Sequence, residues 1–265
     1  MTVLTIPAQD RRIGDTFVRM SGEGFPLVFV HGFTTTSEFW REQAEEFSKA
    51  YRVVRINLPG HGASPAPTSR SYCLDDFVED VARAFRELKI EKAVLIGLSM
   101  GGIVAQKFAL RYLHLLKGLV LVDTTSHGVG PEGTDDAFLA NVDKRGYRKA
   151  VQDLSDISFS SSASPALLAW AQEEVIQTPE FVAKAAIRSL NDADTRGSLS
   201  QIKVPTLVIA GEKDVVTPPS ESEILAKGIS QSTLAFIPGA GHFALLENPA
   251  AFNRVLTRFL DGLSL

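Results

Sequence analysis

The chain has 265 residues, 45% of them apolar and 22% charged, with a formal net charge of -4 at pH 7. At roughly 150 residues per domain this makes one to two domains, long enough to bury a sizeable core without staples. Near-average composition argues against disorder, the mild acidity without a Lys/Arg block gives no nucleic-acid footprint, and a single Cys73 leaves no intramolecular disulfide or cysteine-based zinc cage.

The first ten residues lack a basic stretch followed by an apolar run, so they do not read as a signal peptide. The longest apolar runs, 27–30 and 118–122, fall far short of the roughly 18–20 residues of a membrane span. A cytoplasmic protein with no membrane partner is the expectation. Strands are predicted at 17–20, 27–30, 52–57, 93–96, 118–122, 206–210 and 234–237. Helices are predicted at 39–49, 74–88, 100–111, 219–227 and 249–260. In the second helix Leu74, Phe77, Val78, Val81, Ala84, Phe85 and Leu88 recur at three- and four-residue steps, the stripe of a helix lying on a core. Strands alternating with helices indicate an α/β fold with a mostly parallel sheet covered on both faces.

From about Thr124 to Arg196 the alternation stops. Four helices are predicted instead, near 134–144, 147–156, 165–177 and 179–190, with a Ser-rich joint at 158–164. The chain therefore divides into a core (1–123), a helical insertion (124–196) and the rest of the core (197–265). The insertion reads as a cap; the alternative is extra helices on the sheet's flank.

Gly97-Leu-Ser99-Met-Gly101 follows a buried strand and precedes a helix. A nucleophile raised clear of a sheet must sit on a very tight turn with strained dihedrals, and its neighbours two residues either side must lack side chains. The helix start also favours developing negative charge near Ser99. A dinucleotide loop is the competing reading, with Asp123 some twenty residues on. However, Ser99 stands at the middle glycine position of that fingerprint, and no Gly-Lys-Ser/Thr follows for a phosphate loop.

A serine hydroxyl needs a base. His31 and His61 sit in His-Gly turns, His114 in a helix–strand connection and His127 at the start of the insertion, so each reads as a turn or surface residue. His242 lies in the Gly-rich loop 238–243 after the last strand, over the carboxyl edge of the sheet where ligands bind. Its carboxylate partner is Asp214 or Asp123, both at strand ends, and the chain order serine, acid, histidine favours Asp214. Glu212 reads as a solvated loop residue. Oxyanion donors are expected from the backbone N–H groups of Met100 and Phe33.

Together, His31-Gly-Phe33, Leu58-Pro-Gly-His-Gly-Ala-Ser64, Gly97-Leu-Ser-Met-Gly-Gly102, the segment 205–214 ending in Gly-Glu-Lys-Asp, and Gly241-His-Phe-Ala-Leu-Leu-Glu-Asn-Pro249 resemble the α/β-hydrolase family over nearly the whole chain. The resemblance implies an eight-stranded, mostly parallel sheet flanked by helices with an inserted helical cap. Asn57 departs from the Asp the family often carries there. A serine nucleophile sets the chain apart from haloalkane dehalogenases and epoxide hydrolases of this fold, which use Asp. Gly-Leu-Ser-Met-Gly-Gly is similar to 3-oxoadipate enol-lactonases, small carboxylesterases and esterases with perhydrolase side activity. Carbon–carbon hydrolases of meta-cleavage diketones are a further alternative, although many carry Asn and Trp where this chain has Leu98 and Phe243. A ligand receptor on the same fold is the alternative from another class.

The reading that follows is hydrolysis of a small or medium carboxylic ester or lactone by Ser99, His242 and Asp214, with no cofactor and no metal. The partner is a small-molecule acyl substrate. Phe33, Met100, Trp170, Arg188 and Phe243 are the candidate substrate contacts. Arg188 is the cation that an enol-lactone's free carboxylate would need, unless it is a surface arginine. Phe138, Leu139, Phe159, Leu167, Leu168, Trp170 and Ile176 are candidates for an apolar wall.

Overall fold

The computed structural model describes residues 8–128 and 137–265. In chain order its regular elements are β1 (Gln9–Ile13), β2 (Thr16–Ser21), β3 (Pro26–Val30), α1 (Arg41–Phe47), β4 (Arg52–Asn57), α2 (Leu74–Glu87), β5 (Ala93–Leu98), α3 (Met100–Tyr112) and β6 (Leu116–Val122). Four helices follow, α4 (Ala137–Arg145), α5 (Tyr147–Ser158), α6 (Pro165–Val175) and α7 (Glu180–Asn191). The alternation then resumes with β7 (Thr206–Gly211), α8 (Pro219–Gly228), β8 (Ser232–Ile237), α9 (Ala244–Glu247) and α10 (Pro249–Asp261).

The strands form one eight-stranded sheet in the order β1-β2-β4-β3-β5-β6-β7-β8. The pairs β1–β2 and β2–β4 are antiparallel, and every later pair is parallel. All residues of β5 and β7 are buried, as are Leu27–Val30 of β3, which is why these runs carry no polar alternation. The edge strand β8 is only partly covered. Helix α2 buries the stripe read from its sequence, and packs beside α3.

Strand β1 escaped the sequence reading because four of its five residues, Gln9–Arg12, are exposed. It is held by backbone pairing to β2, Gln9 opposite Met20 through Ile13 opposite Thr16, not by an apolar face. The helix read at 39–49 begins as a 3₁₀ turn, Ser37–Trp40, capped by the Thr36 hydroxyl, before α1 starts at Arg41. Helix α9, one turn after His242, was not foreseen either; four residues carry no readable period. The first helix read in the insertion is described from Ala137, and its residues 134–136 lie outside the described part.

Candidate active site

Chain direction gathers the candidate residues at the carboxyl edge of the sheet. Ser99 directly follows β5, Asp214 comes three residues after β7, and His242 five after β8. Ser99 has φ 52° and ψ -118°, a left-handed conformation that an L-residue adopts at a cost of about 1–3 kcal/mol. The turn is pinned from three sides. Ser99 N–H donates to Val122 O at 2.9 Å, and the Ser99 carbonyl accepts from Gly102 N–H at 2.8 Å and from the Thr124 hydroxyl at 2.7 Å.

The glycines are required by contact. A Cβ on Gly97 would lie 2.2 Å from the carbonyl oxygen of Gly101. One on Gly101 would lie 2.4 Å from the His31 carbonyl, so that glycine makes room for the end of β3 and not for residue 97.

His242 is buried, and its Nδ1 lies 2.8 Å from Asp214 Oδ2. Asp214 spends its other lone pairs on the N–H groups of Val216 (2.8 Å) and Thr217 (2.9 Å) and on the Thr217 hydroxyl (2.8 Å). Burial alone would raise the Asp214 pKa. The charge and hydrogen bond of His242, with the Thr217 donors, outweigh it and hold the carboxyl below its usual range.

Asp123 takes a different place. It is fully buried with φ 43°, and it accepts from Gly211 N–H at 2.6 Å and from Ala244 N–H at 3.3 Å. Burial, then the neighbouring charge of Asp214, push its pKa well above the carboxylate range. It ties the ends of two loops together and makes no hydrogen bond to His242 among the described residues.

The remaining histidines are engaged elsewhere. His31 Nδ1–H donates to Gly32 O at 2.8 Å while its Nε2 accepts Leu58 N–H at 3.0 Å, which stitches the loop after β3 to the loop after β4. The His61 ring stacks 4.8 Å from it, centroid to centroid. Both are buried, and burial lowers both pKa values, that of His61 to about 4. His127 pairs with Glu221 at 3.0 Å, and His114 is exposed. Glu212 is exposed and accepts Gly239 N–H. Asn57, in place of the family's Asp, accepts Ser37 N–H at 2.6 Å. Cys73 is a free thiol at the start of α2.

Ser99 and His242 line one cavity of about 210 Å³. Phe33, Met100 and Phe243 are among its lining residues, as is Phe138, whose ring packs edge-on against Phe33 with centroids 5.2 Å apart. Neither the Phe33 nor the Met100 N–H has an acceptor among the described residues.

Two expected contacts are corrected. Arg188 is exposed on α7, and Ile187, Leu190 and Asn191 are the residues of that helix that face the cavity. Trp170 lies outside the lining, where it stacks on Phe39 (5.0 Å) and under the Arg41 guanidinium (3.9 Å). Of the other wall candidates, Phe159 packs on Phe243, while Leu139, Leu167, Leu168 and Ile176 pack against the core. The reading missed Val151 and Leu154 on α5, although their spacing with Ser158 was a readable three- and four-residue step. It also missed Thr217, which no motif marks.

A tight strand–serine–helix turn and a carboxylate-held histidine, set on the carboxyl edge of a mostly parallel eight-stranded sheet, define a hydrolase fold. The model of the alpha/beta hydrolase family matches residues 27–255, and the chain belongs to that family. Among its relatives, the pimeloyl acyl-carrier protein methyl ester esterase of Nitrosomonas europaea is 28% identical over 248 residues, 89% of this chain and 95% of that one. The 3-oxoadipate enol-lactonase 2 of Acinetobacter baylyi is 28% identical over 233 residues, covering 87% of this chain and 86% of its own. The solved structure of Est816, described as an N-acyl homoserine lactone degrading enzyme, superposes with a TM-score of 0.83 at 28% identity, covering 95% of this chain and 100% of that one. No helix among the described residues is long and apolar enough to cross a membrane.

Proposed function

We propose that the protein is a serine hydrolase of small or medium carboxylic esters or lactones, working through an acyl-enzyme. The observation that carries this reading is the strained Ser99 on the same cavity as His242, whose Nδ1 is held 2.8 Å from a buried carboxylate. With Nδ1–H donated to Asp214, His242 presents Nε2 as the base. Ser99 Oγ attacks the acyl carbon as Nε2 takes its proton. The oxyanion that forms is received by the N–H groups of Met100 and Phe33, each worth about 3–4 kcal/mol of transition-state stabilisation. Collapse expels the alkoxide, protonated by His242. Water deprotonated by the same nitrogen then attacks the acyl-enzyme, and the second collapse releases the acid and restores Ser99 Oγ–H. Names of relatives that include an esterase, an enol-lactonase and a lactone-degrading enzyme support the ester and lactone classes.

In this reading residues 124–196 are a cap. Phe138 of α4, Val151 and Leu154 of α5, and Ile187 and Leu190 of α7 contribute to the cavity wall, which fits a lid that excludes water from the acyl pocket. The test is a fluorophosphonate probe, which an activated serine attacks at phosphorus with loss of fluoride, leaving the serine phosphonylated. Labelling of the native protein, lost in Ser99→Ala and competed by a short-chain ester, is the expected result. A folded native protein that takes up no label would overturn the assignment.

A further inference from the structure

The cavity's wall bears on which acyl groups it admits. No Lys or Arg lines it among the described residues, and the segments outside the description, 1–7 and 129–136, contain neither residue type. Five of its hydroxyls are already spent on the protein, and Ser155 Oγ is buried without a partner among the described residues. Thr34 donates to Phe33 O, Thr35 to Gly32 O, Thr125 to Glu221, Ser158 to Leu154 O and Thr217 to Asp214. The last of these acceptors and Glu221 are carboxyl groups standing one hydrogen bond behind the wall. Arg188, the one cation the sequence offered for this purpose, is exposed and outside the lining.

An ionised group entering such a pocket loses its water and meets no Lys or Arg, only the neutral Ser155 hydroxyl and Asn191 amide, while nearby carboxyls repel it if it is an anion. A neutral chain loses nothing comparable and gains apolar contact with Phe33, Phe138, Leu154, Ile187 and Phe243. The room for such a chain is a cavity of about 210 Å³.

Resting on the ester- and lactone-hydrolase reading above, we infer that the acyl pocket selects uncharged, largely apolar acyl groups and rejects those ending in a carboxylate. This separates the chain's substrate class from free-acid lactones, whatever the names of its relatives. The discrimination comes from the missing cation and not from shape.

Three phenyl esters test it on the full chain, with phenol release followed at pH 7.5. They are phenyl hexanoate, monophenyl adipate, and the phenyl ester of adipic acid monoamide, which matches the second in size without its charge. The expected order is hexanoate first, the monoamide within about tenfold of it, and the monoadipate at least about 100-fold lower in kcat/KM. Asn191→Arg, which sets a guanidinium on the cavity side of α7, should raise the monoadipate-to-hexanoate ratio of kcat/KM at least about tenfold. Equal rates for monoadipate and hexanoate overturn the inference. So do equally slow monoadipate and monoamide, which would mean that size is being read, and an unchanged ratio in a folded Asn191→Arg. Failure of the fluorophosphonate to label Ser99 overturns the hydrolase reading itself, and is distinct from all three.

Discussion

Replacing Asp214 by Asn keeps the shape of the side chain and removes its charge, and the local donors dictate how the amide must sit. Two backbone N–H groups, of Val216 and Thr217, point at Oδ1 at 2.8 and 2.9 Å. The amide oxygen must stay there, since turning the NH2 toward them would set donor against donor. The NH2 then falls at the Oδ2 position, 2.8 Å from His242 Nδ1. Nδ1 has to become an acceptor, so the ring proton moves to Nε2, the nitrogen that should receive the serine proton. The wrong tautomer costs about 10⁴-fold in turnover, or some 5–6 kcal/mol at 1.36 kcal/mol per decade. Asp123→Asn keeps the Gly211 bond and sets an NH2 against Ala244 N–H, the longer of its two contacts at 3.3 Å. It should lose less than about tenfold. Steady-state kcat on a short-chain phenyl ester, with circular dichroism to confirm folding, measures both. Asp214→Asn within tenfold of native, together with a loss of three decades in Asp123→Asn, would refute the assignment of the acid and the tautomer argument with it.

Other consequences are separable by assay. Gly97→Ala drives a methyl group into the Gly101 carbonyl, both of them backbone, and should cost about 2–3 kcal/mol, read as a melting temperature lower by about 5–10 °C; an unshifted melt would mean the turn has slack. His61 is neutral in the fold with its pKa at about 4, against about 6.5 unfolded, so the unfolded chain binds more protons between those values and stability rises with pH across that window. Its share is about 3 kcal/mol, lost on going from pH 7 to 4, and urea titrations of His61→Gln should show a correspondingly shallower acid slope; parallel slopes would contradict the burial argument. Trp170→Ala leaves the cavity wall intact, so it should lower stability while changing kcat/KM less than about threefold. A large loss of kcat/KM with unchanged melting would put Trp170 back in the pocket.

The core strands were legible because both their faces are buried, which leaves an apolar run between turn residues. The placement of Ser99, Asp214 and His242 at one edge of the sheet was legible because each follows the end of a strand in glycine-bearing sequence. The expectation failed where a residue's direction depends on helix rotation. Arg188 and Ile187 are adjacent in sequence, and about 100° of helical turn sends one to solvent and the other to the cavity. Trp170 misled through its size, since a large aromatic is equally at home stacked beneath an arginine. Thr217 was invisible for another reason. Its hydroxyl lies 3.2 Å from His242 Nδ1 and 2.8 Å from Asp214 Oδ2, a position set by the turn that follows Asp214 and not by any spacing rule.

The backbone of His242 donates its N–H to the Ser158 carbonyl at 2.7 Å. Glu247 clamps both sides of the same seam, accepting Gly241 N–H at 2.8 Å and Ser160 N–H at 3.0 Å. The last turn of α5 and the histidine loop are therefore one hydrogen-bonded piece, although eighty residues of chain separate them. Recombination between relatives cannot treat the helical segment as an interchangeable cassette. A foreign segment that ends differently at position 158 would withdraw an acceptor from His242's own backbone. Chimeras that carry 158–160 and 241–247 from the same parent should retain turnover, and those that split them between parents should bind probe poorly even when every side chain of the site is present.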